Sequence, residues 1–325
     1  MRRRMLLTTA ALLGGMALSG MAQAQDLPPL EQKDRYKVGF AQMESNNPWR
    51  IAETKSFQET AETCGWDLVS TDAAGSAAKQ VSDVDSMIAQ GIDVLFLPPR
   101  EEKPLLPAVM KAQAAGIPTF LVDRSVDPTV AKAGEHYIAF LGSDFVDQGR
   151  RVAEWTIENF KGEKGIIVEL EGTTGSSPAN DRKKGFDEAI AKDDRFEIVA
   201  SQSGDFARDQ GRQVMETLLQ SHPEVNIVYA HNDEMAIGAI QALELAGRKP
   251  GEDVLVVSID GTRDALQAIT DGKMGVTVES SPFFGPLACD VMKRYAAGET
   301  VEPWVKVEDR IFTKENAAEH VDEAY

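Results

Sequence analysis

Polar, charged and aromatic residues recur in this chain directly after short β-branched runs that have the length of strands. Carboxylate and amide oxygens accept hydrogen bonds from hydroxyl groups, while arginine donates to them, and charged partners strengthen each such bond. An indole or phenyl face can cover the apolar face of a ring. The residues in question are Asn47, Trp49, Arg50, Asp123, Arg124, Arg182, Asp205, Phe206, Asn232 and Asp260. Together they favour binding of a polyhydroxylated ligand.

Each of these residues taken alone has a structural explanation. An Asn or Asp that follows a strand often only caps a helix or forms a turn, which suits Asn47, Asp233 and Asp260. An Asp–Arg pair is often an exposed ion pair of little consequence, and a lone Trp or Phe is more often a core residue. The functional interpretation depends on the whole set, because every member follows a predicted strand.

Alternating strand and helix patterns predict an α/β protein with parallel sheets that helices cover on both faces. Ten strands exceed one doubly wound domain of this length, so we expect two sheets of about five strands each. The predicted strands are 36–43, 67–72, 94–98, 119–123, 137–142, 165–171, 197–201, 227–230, 254–260 and 275–279. The predicted helices are 49–64, 81–89, 107–115, 148–160, 181–190, 210–220, 234–246 and 285–297.

The N-terminus has the pattern of a cleavable secretion signal. Three arginines at positions 2–4 precede an apolar run to Met21, and Ala22-Gln23-Ala24 fits the small-x-small cleavage pattern. We therefore expect residues 1–24 to be a signal peptide and the protein to be periplasmic. The basic start fits general export and loosely resembles a twin-arginine signal, so both routes remain open.

Composition excludes several classes of function. The formal net charge of the 325-residue chain is −18 without a basic stripe, which argues against a nucleic-acid partner. Two cysteines and four scattered histidines have no metal-ligand spacing, and we find no nucleophile elbow or phosphate-binding loop. We therefore expect no enzyme activity, no cofactor and no metal. Cys64 and Cys289 could form a disulfide or remain two buried thiols.

Six motifs in their order along the chain carry a specific resemblance. They are Asn46-Asn47-Pro48-Trp49, Leu121-Val122-Asp123-Arg124, Asp181-Arg182-Lys183-Lys184-Gly185-Phe186, Ser201-Gln202-Ser203-Gly204-Asp205-Phe206, Tyr229-Ala230-His231-Asn232-Asp233-Glu234-Met235 and Ser258-Ile259-Asp260-Gly261-Thr262. The sequence resembles periplasmic sugar-binding proteins of the ribose/galactose type, the receptors of ABC importers. Within that family it is most similar to galactofuranose-binding receptors.

The resemblance implies a ligand set. Carried over by position, the family pattern gives Asn47, Trp49, Asp123, Arg124, Arg182, Phe206, Asn232 and Asp260. The likeness to galactofuranose receptors adds Arg50, Glu53 and Asp205. Ser280 stands where the ribose pattern has a Gln, which argues against ribose itself.

The resemblance also implies two lobes that close by a hinge motion on a monosaccharide. It places residues 30–143 and 281–309 in one lobe and residues 144–280 and 310–325 in the other, and it implies a monomer that delivers its sugar to a membrane permease. A chemoreceptor is a further candidate partner. Three arginines leave an acidic sugar or a sugar-like signal as the alternative ligand, although the nearby carboxylates favour a neutral one.

Overall fold

The computed structural model describes residues 27–325, which form twelve strands and ten helices around two separate β-sheets. The predicted signal peptide, residues 1–24, lies outside the described residues. Within residues 27–325, no helix has the length and apolar character needed to cross a membrane.

The first sheet contains six strands, and every neighbouring pair is parallel. The strands are β1 Tyr36–Gln42, β2 Trp66–Asp72, β3 Val94–Leu97, β4 Thr119–Val122, β5 Ala139–Gly142 and β11 Trp304–Lys306. Their spatial order is β11-β5-β4-β3-β1-β2. The helices of this half are α1 Pro48–Cys64, α2 Ala77–Ala89, α3 Leu106–Ala114 and α9 Gly285–Ala296. The order in which the chain adds strands reverses between β1 and β3, where doubly wound sheets form a crevice.

The second sheet repeats this order with one change. Its strands are β6 Gly165–Glu171, β7 Phe196–Ser203, β8 Ile227–Ala230, β9 Leu255–Asp260, β10 Val276–Glu279 and β12 Ile311–Thr313. Their order is β12-β10-β9-β8-β6-β7, and the edge strand β12 runs antiparallel to β10. The helices of this half are α4 Phe145–Asn159, α5 Ser177–Ile190, α6 Arg208–Ser221, α7 Asp233–Leu245, α8 Arg263–Thr270 and α10 Ala317–His320. The predicted α/β class with two doubly wound lobes is confirmed.

Apolar faces of the strands hold each half together. In the first sheet, the Phe40 ring stacks on Phe57 of α1 at 4.1 Å between centroids, and Phe57 lies 5.4 Å from Phe96. In the second sheet, Phe186 of α5 stacks on Tyr229 at 3.8 Å. All five rings are fully buried. They anchor the helices whose ends carry the polar residues singled out in the sequence.

Several element boundaries differ from the prediction. Strands β11 and β12 and helices α8 and α10 were not predicted, because three-residue strands and a four-residue helix are too short to show a period, and α8 has only eight residues. Each sheet therefore has six strands instead of about five. Helices α2, α4 and α5 begin three or four residues earlier than predicted. The first turns of α2 and α5 are polar or small and follow the cap positions Ser76 and Ser176, so apolar periodicity starts late. Helix α4 begins with Phe145 and Val146 after its cap Asp144, and two adjacent apolar residues show no helical period by themselves.

The two cysteines form a disulfide. Cys64, the last residue of α1, is bonded to Cys289 of α9, with Cα atoms 6.1 Å apart. This answers the question that the sequence left open. The bond links α1, which follows β1, to α9, which begins where the chain returns from the second sheet to the first.

Reducing this disulfide is expected to lower the free energy of unfolding by about 2–4 kcal/mol, because a cross-link across 225 residues restricts the unfolded chain. Urea denaturation with and without dithiothreitol measures the change. The double variant Cys64→Ser/Cys289→Ser is the control and should not respond to the reductant. Equal midpoints for the oxidised and reduced wild type would contradict the prediction.

Candidate functional site

A pocket of about 330 Å³, counting the part open to solvent, lies between the carboxyl ends of the two sheets. Eleven residues line it: Asn47, Trp49, Arg50, Asp123, Arg124, Pro178, Arg182, Phe206, Asn232, Asp260 and Ser280. Ten of the twelve residues predicted from the sequence are thus brought together. Pro178 was not predicted, although a proline in the first turn of a helix is a recognisable signal.

Helix α1 begins at the pocket. Asn47 caps it, with Oδ1 accepting from the Arg50 backbone N–H at 2.9 Å, and Pro48 occupies the first helical position. Asn47 is therefore both a helix cap and a pocket residue. The Trp49 indole donates through Nε1 to the Ser280 carbonyl at 2.7 Å, which joins the start of α1 to the segment after β10.

Arg50 is held by aromatic and acidic neighbours. Its guanidinium lies 4.4 Å from the centre of the Trp49 ring, donates to Glu53 at 2.8 Å and pairs with Asp123. Glu53 is completely buried and also accepts from Gln42 at 3.0 Å. Burial raises the pKa of Glu53 to about 7 against the opposing charge of Arg50. Glu53 therefore does not line the pocket as predicted, because it lies behind Arg50 and faces β1.

Arg124 is less completely paired than Arg50. It donates through Nη1 to the Arg100 carbonyl at 2.9 Å, and its Nε lies 3.7 Å from Asp123, beyond hydrogen-bond distance. Nε has no hydrogen-bond partner among the described residues. Burial, together with the positive charge of Arg50, lowers the pKa of Arg124 to about 9. This arginine thus retains donor capacity beside the pocket.

Arg182 occupies the opposite wall, on α5. It donates through Nη1 to the His231 carbonyl at 2.6 Å, through Nε to Gln148 at 2.9 Å, and through Nη2 to Asp260 at 3.3 Å. Burial raises the pKa of Asp260 well above its usual range, and the charge of Arg182 opposes that shift. The guanidinium lies 5.8 Å from the centre of the Phe206 ring, and that of Arg124 lies 5.3 Å from it. One aromatic ring therefore contacts arginines from both sheets.

Asp205 is not a pocket-lining residue, contrary to the prediction. Its carboxylate is partly exposed and pairs with Arg100 of the first half at 3.3 Å. Asp205 and Phe206 both have positive φ, 52° and 58°, so this turn directs successive side chains to different sides. The phenyl ring faces the pocket and the carboxylate faces its rim. Arg100 was not predicted, although it lies three residues beyond β3, in a segment rich in proline and charged residues.

Buried hydrogen bonds fix the turn that carries Asp260. Asp233, at the start of α7, accepts from the Thr262 backbone N–H at 2.7 Å and from the Thr277 hydroxyl at 2.8 Å, and also accepts from Ser258. The Asp260 backbone has φ 138°, an unusual value for a residue with a side chain. The bonds to Asp233 hold that conformation in place.

Comparison with known proteins gives the family. The periplasmic binding protein domain matches residues 38–300. The chain belongs to the periplasmic binding protein family. It is 38% identical over 304 residues to the galactofuranose-binding protein of Escherichia coli, covering 93% of this chain and 91% of that one.

Solved structures agree with this assignment. A protein from Mycobacterium smegmatis in complex with β-D-fucofuranose has a TM-score of 0.84 at 41% identity, covering 88% of this chain and 94% of that one. The arabinose transporter component from Shewanella sp. ANA-3, bound to α- and β-L-arabinofuranose, has a TM-score of 0.83 at 36% identity, covering 88% and 95%. This periplasmic binding protein thus belongs among the sugar-binding receptors of ABC importers, a non-enzymatic family. The resemblance to galactofuranose receptors is confirmed.

The buried Glu53 predicts a pH-dependent stability. Its carboxyl pKa is about 7 in the folded protein, compared with a usual value of 4.5, so the folded state binds the proton more tightly. The stabilisation of the folded state by protonated Glu53 is fully present below pH 4.5 and is lost as the pH rises through 7. The difference in unfolding free energy between wild type and Glu53→Gln should therefore fall by about 1–3 kcal/mol over that window. Denaturant titrations at several pH values measure it, and a constant difference would contradict the buried, protonated Glu53.

Proposed function

We propose that this protein binds a neutral monosaccharide in its furanose form between two lobes, closes on it by a hinge motion and delivers it to a membrane permease. The composition of the two pocket walls is the main observation that supports this proposal. Asn47, Arg50 and Asp123 belong to the half of the molecule built on the first sheet, and Arg182 and Asp260 belong to the half built on the second. A sugar that bonds to both walls stabilises the closed state more than the open one, which ligand-driven closure requires.

The proposed lobes are residues 30–143 with 281–309, and residues 144–280 with 310–325. Membership of the two sheets supports this division, since the first sheet takes β11 and the second takes β12. The chain then crosses between lobes three times, after β5, after β10 and after β11. Three short crossovers on one side of a cleft allow rotation about one axis and resist other displacements.

The charge of the pocket supports a neutral ligand. Three arginines face Asp123 and Asp260, with Glu53 directly behind Arg50, so acidic and basic groups are equal in number. Furanose rings are favoured by the ligands bound in two similar structures, a fucofuranose and an arabinofuranose. The proposed ligand contacts are the lining residues, with Trp49 and Phe206 against the ring and Ser280 at the end of β10.

One observation favours a second candidate ligand. Among the described residues, Arg124 Nε has no hydrogen-bond partner, and burial raises the pKa of Glu53 to about 7, so this carboxyl carries less than a full negative charge at neutral pH. An acidic sugar would place its carboxylate against that guanidinium. A receptor for such a sugar, or for a sugar-like signal that feeds chemotaxis, is the alternative function.

The cellular setting follows from the same proposal. We propose a periplasmic protein, released after cleavage of residues 1–24 and acting as a monomer. A disulfide is consistent with an oxidising compartment. The permease of an ABC importer is the proposed partner, and a chemoreceptor is a further one.

A thermal-shift screen tests the ligand class, because a ligand that binds only the folded state raises the melting temperature. Methyl β-D-galactofuranoside and methyl β-D-galactopyranoside lock the two ring forms and form a matched pair. We expect a larger shift with the furanoside, and with L-arabinose, than with the pyranoside. A shift with D-galacturonic acid alone would favour the acidic alternative, and no shift with any sugar would contradict the proposed ligand class.

Asp260→Asn keeps the size of the side chain while it removes the charge that pairs with Arg182. Weaker acceptance from ligand hydroxyls should cost about 2 kcal/mol of binding free energy, or roughly thirtyfold in Kd. Isothermal titration with the best sugar from the screen measures this. Asp264→Asn, an exposed change on α8 outside the pocket, is the control and should bind normally. Wild-type affinity in Asp260→Asn would place the ligand elsewhere.

A further inference from the structure

Three chain segments cross between the sheets, at residues 143–144, 280–284 and 307–310. Each of them has a polar group directed at the same buried position. Ser143 lies in the first crossover, the Glu279 carbonyl immediately precedes the second, and Asp309 lies in the third. A single amide side chain lies among them, that of Gln148 on α4.

Gln148 is completely buried and connects these crossovers. Its Nε2 donates to the Asp309 carboxylate at 2.8 Å and to the Glu279 carbonyl at 3.2 Å. The other Asp309 oxygen accepts from the Ser143 hydroxyl at 2.8 Å. One amide and one carboxylate thus join the first and third crossovers to the end of β10, where the second crossover begins.

The same amide reaches the ligand pocket. Its Oε1 accepts from Arg182 Nε at 2.9 Å, and Arg182 pairs with Asp260. Close packing of α4 on α5 makes this contact possible. A Cβ at Gly149 would lie 2.2 Å from the Arg182 carbonyl oxygen, and a Cβ at Gly185 would lie 2.0 Å from the Val146 carbonyl oxygen. Two glycines therefore allow the backbone approach that brings Gln148 to Arg182.

Asp309 is costly to keep in this position. Burial raises its carboxyl pKa to about 6 against the hydrogen bonds from Gln148 and Ser143. Asp309 is half-buried, and its two carboxylate oxygens accept separately from Gln148 and Ser143, so this side chain fixes the geometry of the first and third crossovers relative to α4.

We propose that Gln148 and Asp309 are positioning residues that couple the pocket to the hinge. They hold Arg182 in its ligand-binding orientation and hold the three crossovers in one common geometry, so that contacts made by Arg182 bias the hinge. The role of Arg182 in binding the ligand rests on the proposed function, whereas the coupling of the three crossovers does not. We call Ser143, Gln148, Asp309 and Arg182 the hinge relay.

The test measures the distance between the two halves by electron spin resonance. Spin labels are attached at Ala114→Cys on α3 and Gln213→Cys on α6, both exposed positions. Gln148→Met removes the amide at constant length, and Ser143→Ala removes one bond of the relay as a milder change. Asp309→Asn is the conservative variant, because a carboxamide can still accept from Gln148. Asn226→Leu is the matched control, since the Asn226 amide makes two hydrogen bonds to the backbone at the start of β6, away from the crossovers.

The first readout is the ligand-free protein. We expect Gln148→Met to broaden the distance distribution, with Asp309→Asn and Asn226→Leu close to wild type. The second readout is titration with L-arabinose and methyl β-D-galactofuranoside. Gln148→Met should bind about tenfold more weakly and show a smaller change in distance, without a melting temperature below that of Asn226→Leu.

The outcomes separate the relay from the ligand assignment. A wild-type distribution and affinity in Gln148→Met, or the same broadening in Asn226→Leu, would overturn the relay. The relay would also be overturned if Gln148→Met lost affinity only to the extent that its melting temperature fell, because general destabilisation would then explain the loss. If no sugar binds to the wild type but the ligand-free distribution broadens in Gln148→Met and Ser143→Ala alone, the proposed ligand is wrong and the coupling of the crossovers is supported.

Discussion

Three arginine side chains buried between two sheets are the constraint on which the rest of this structure depends. A guanidinium cannot shed its charge at ordinary pH, so each one needs acceptors wherever water is excluded. Arg50 obtains them from Glu53 and Asp123, and Arg182 obtains them from Asp260, Gln148 and the His231 carbonyl. The carboxylates of Glu53, Asp123 and Asp260 are therefore required as acceptors for these buried guanidinium groups. The pocket wall is thus a network of charged groups that orient one another before any ligand arrives, which lowers the cost of ordering on binding.

The backbone at the strand ends makes this arrangement possible. Asp123 follows β4 directly and Asp260 is the last residue of β9, and both have positive φ, 57° and 138°. Side chains rarely tolerate such values, and where they occur the surrounding bonds must impose them. The Asp123 backbone N–H donates to the Leu141 carbonyl at 2.9 Å, and the Asp233 carboxylate holds the turn after Asp260. The strained turns lie where the carboxylates must point into the cleft instead of along the strand.

Residue type and position predict much of this site but not all of it. Asn47, Asp123 and Asp260 were predicted because polar residues after parallel strands share one edge of a sheet. Glu53 lies behind the pocket lining, since its position three residues after Arg50 gives its face of α1 but not its direction toward β1. Asp205 lies at the rim, in a turn where both it and Phe206 have positive φ. Gln148 and Asp309 were not predicted, since 161 residues separate them and only the folded crossovers bring them together.

Hydrogen bonds also join the two halves at the rim of the cleft, and they differ from those at the crossovers. On the side of the cleft away from the crossovers, the Glu102 backbone N–H donates to the Gly175 carbonyl and the Ser125 N–H donates to Ser177, both at 2.9 Å. Arg100 also reaches Asp205 there. Such partly exposed bonds contribute little individually, because water replaces them readily when the cleft opens. Under the proposed hinge closure, a ligand that bridges Arg50 and Arg182 would need to supply only a few kcal/mol to shift the population toward the closed state. Partly exposed bonds at the rim, together with the amide of Gln148 at the crossovers, would suit a receptor that both captures and releases its ligand.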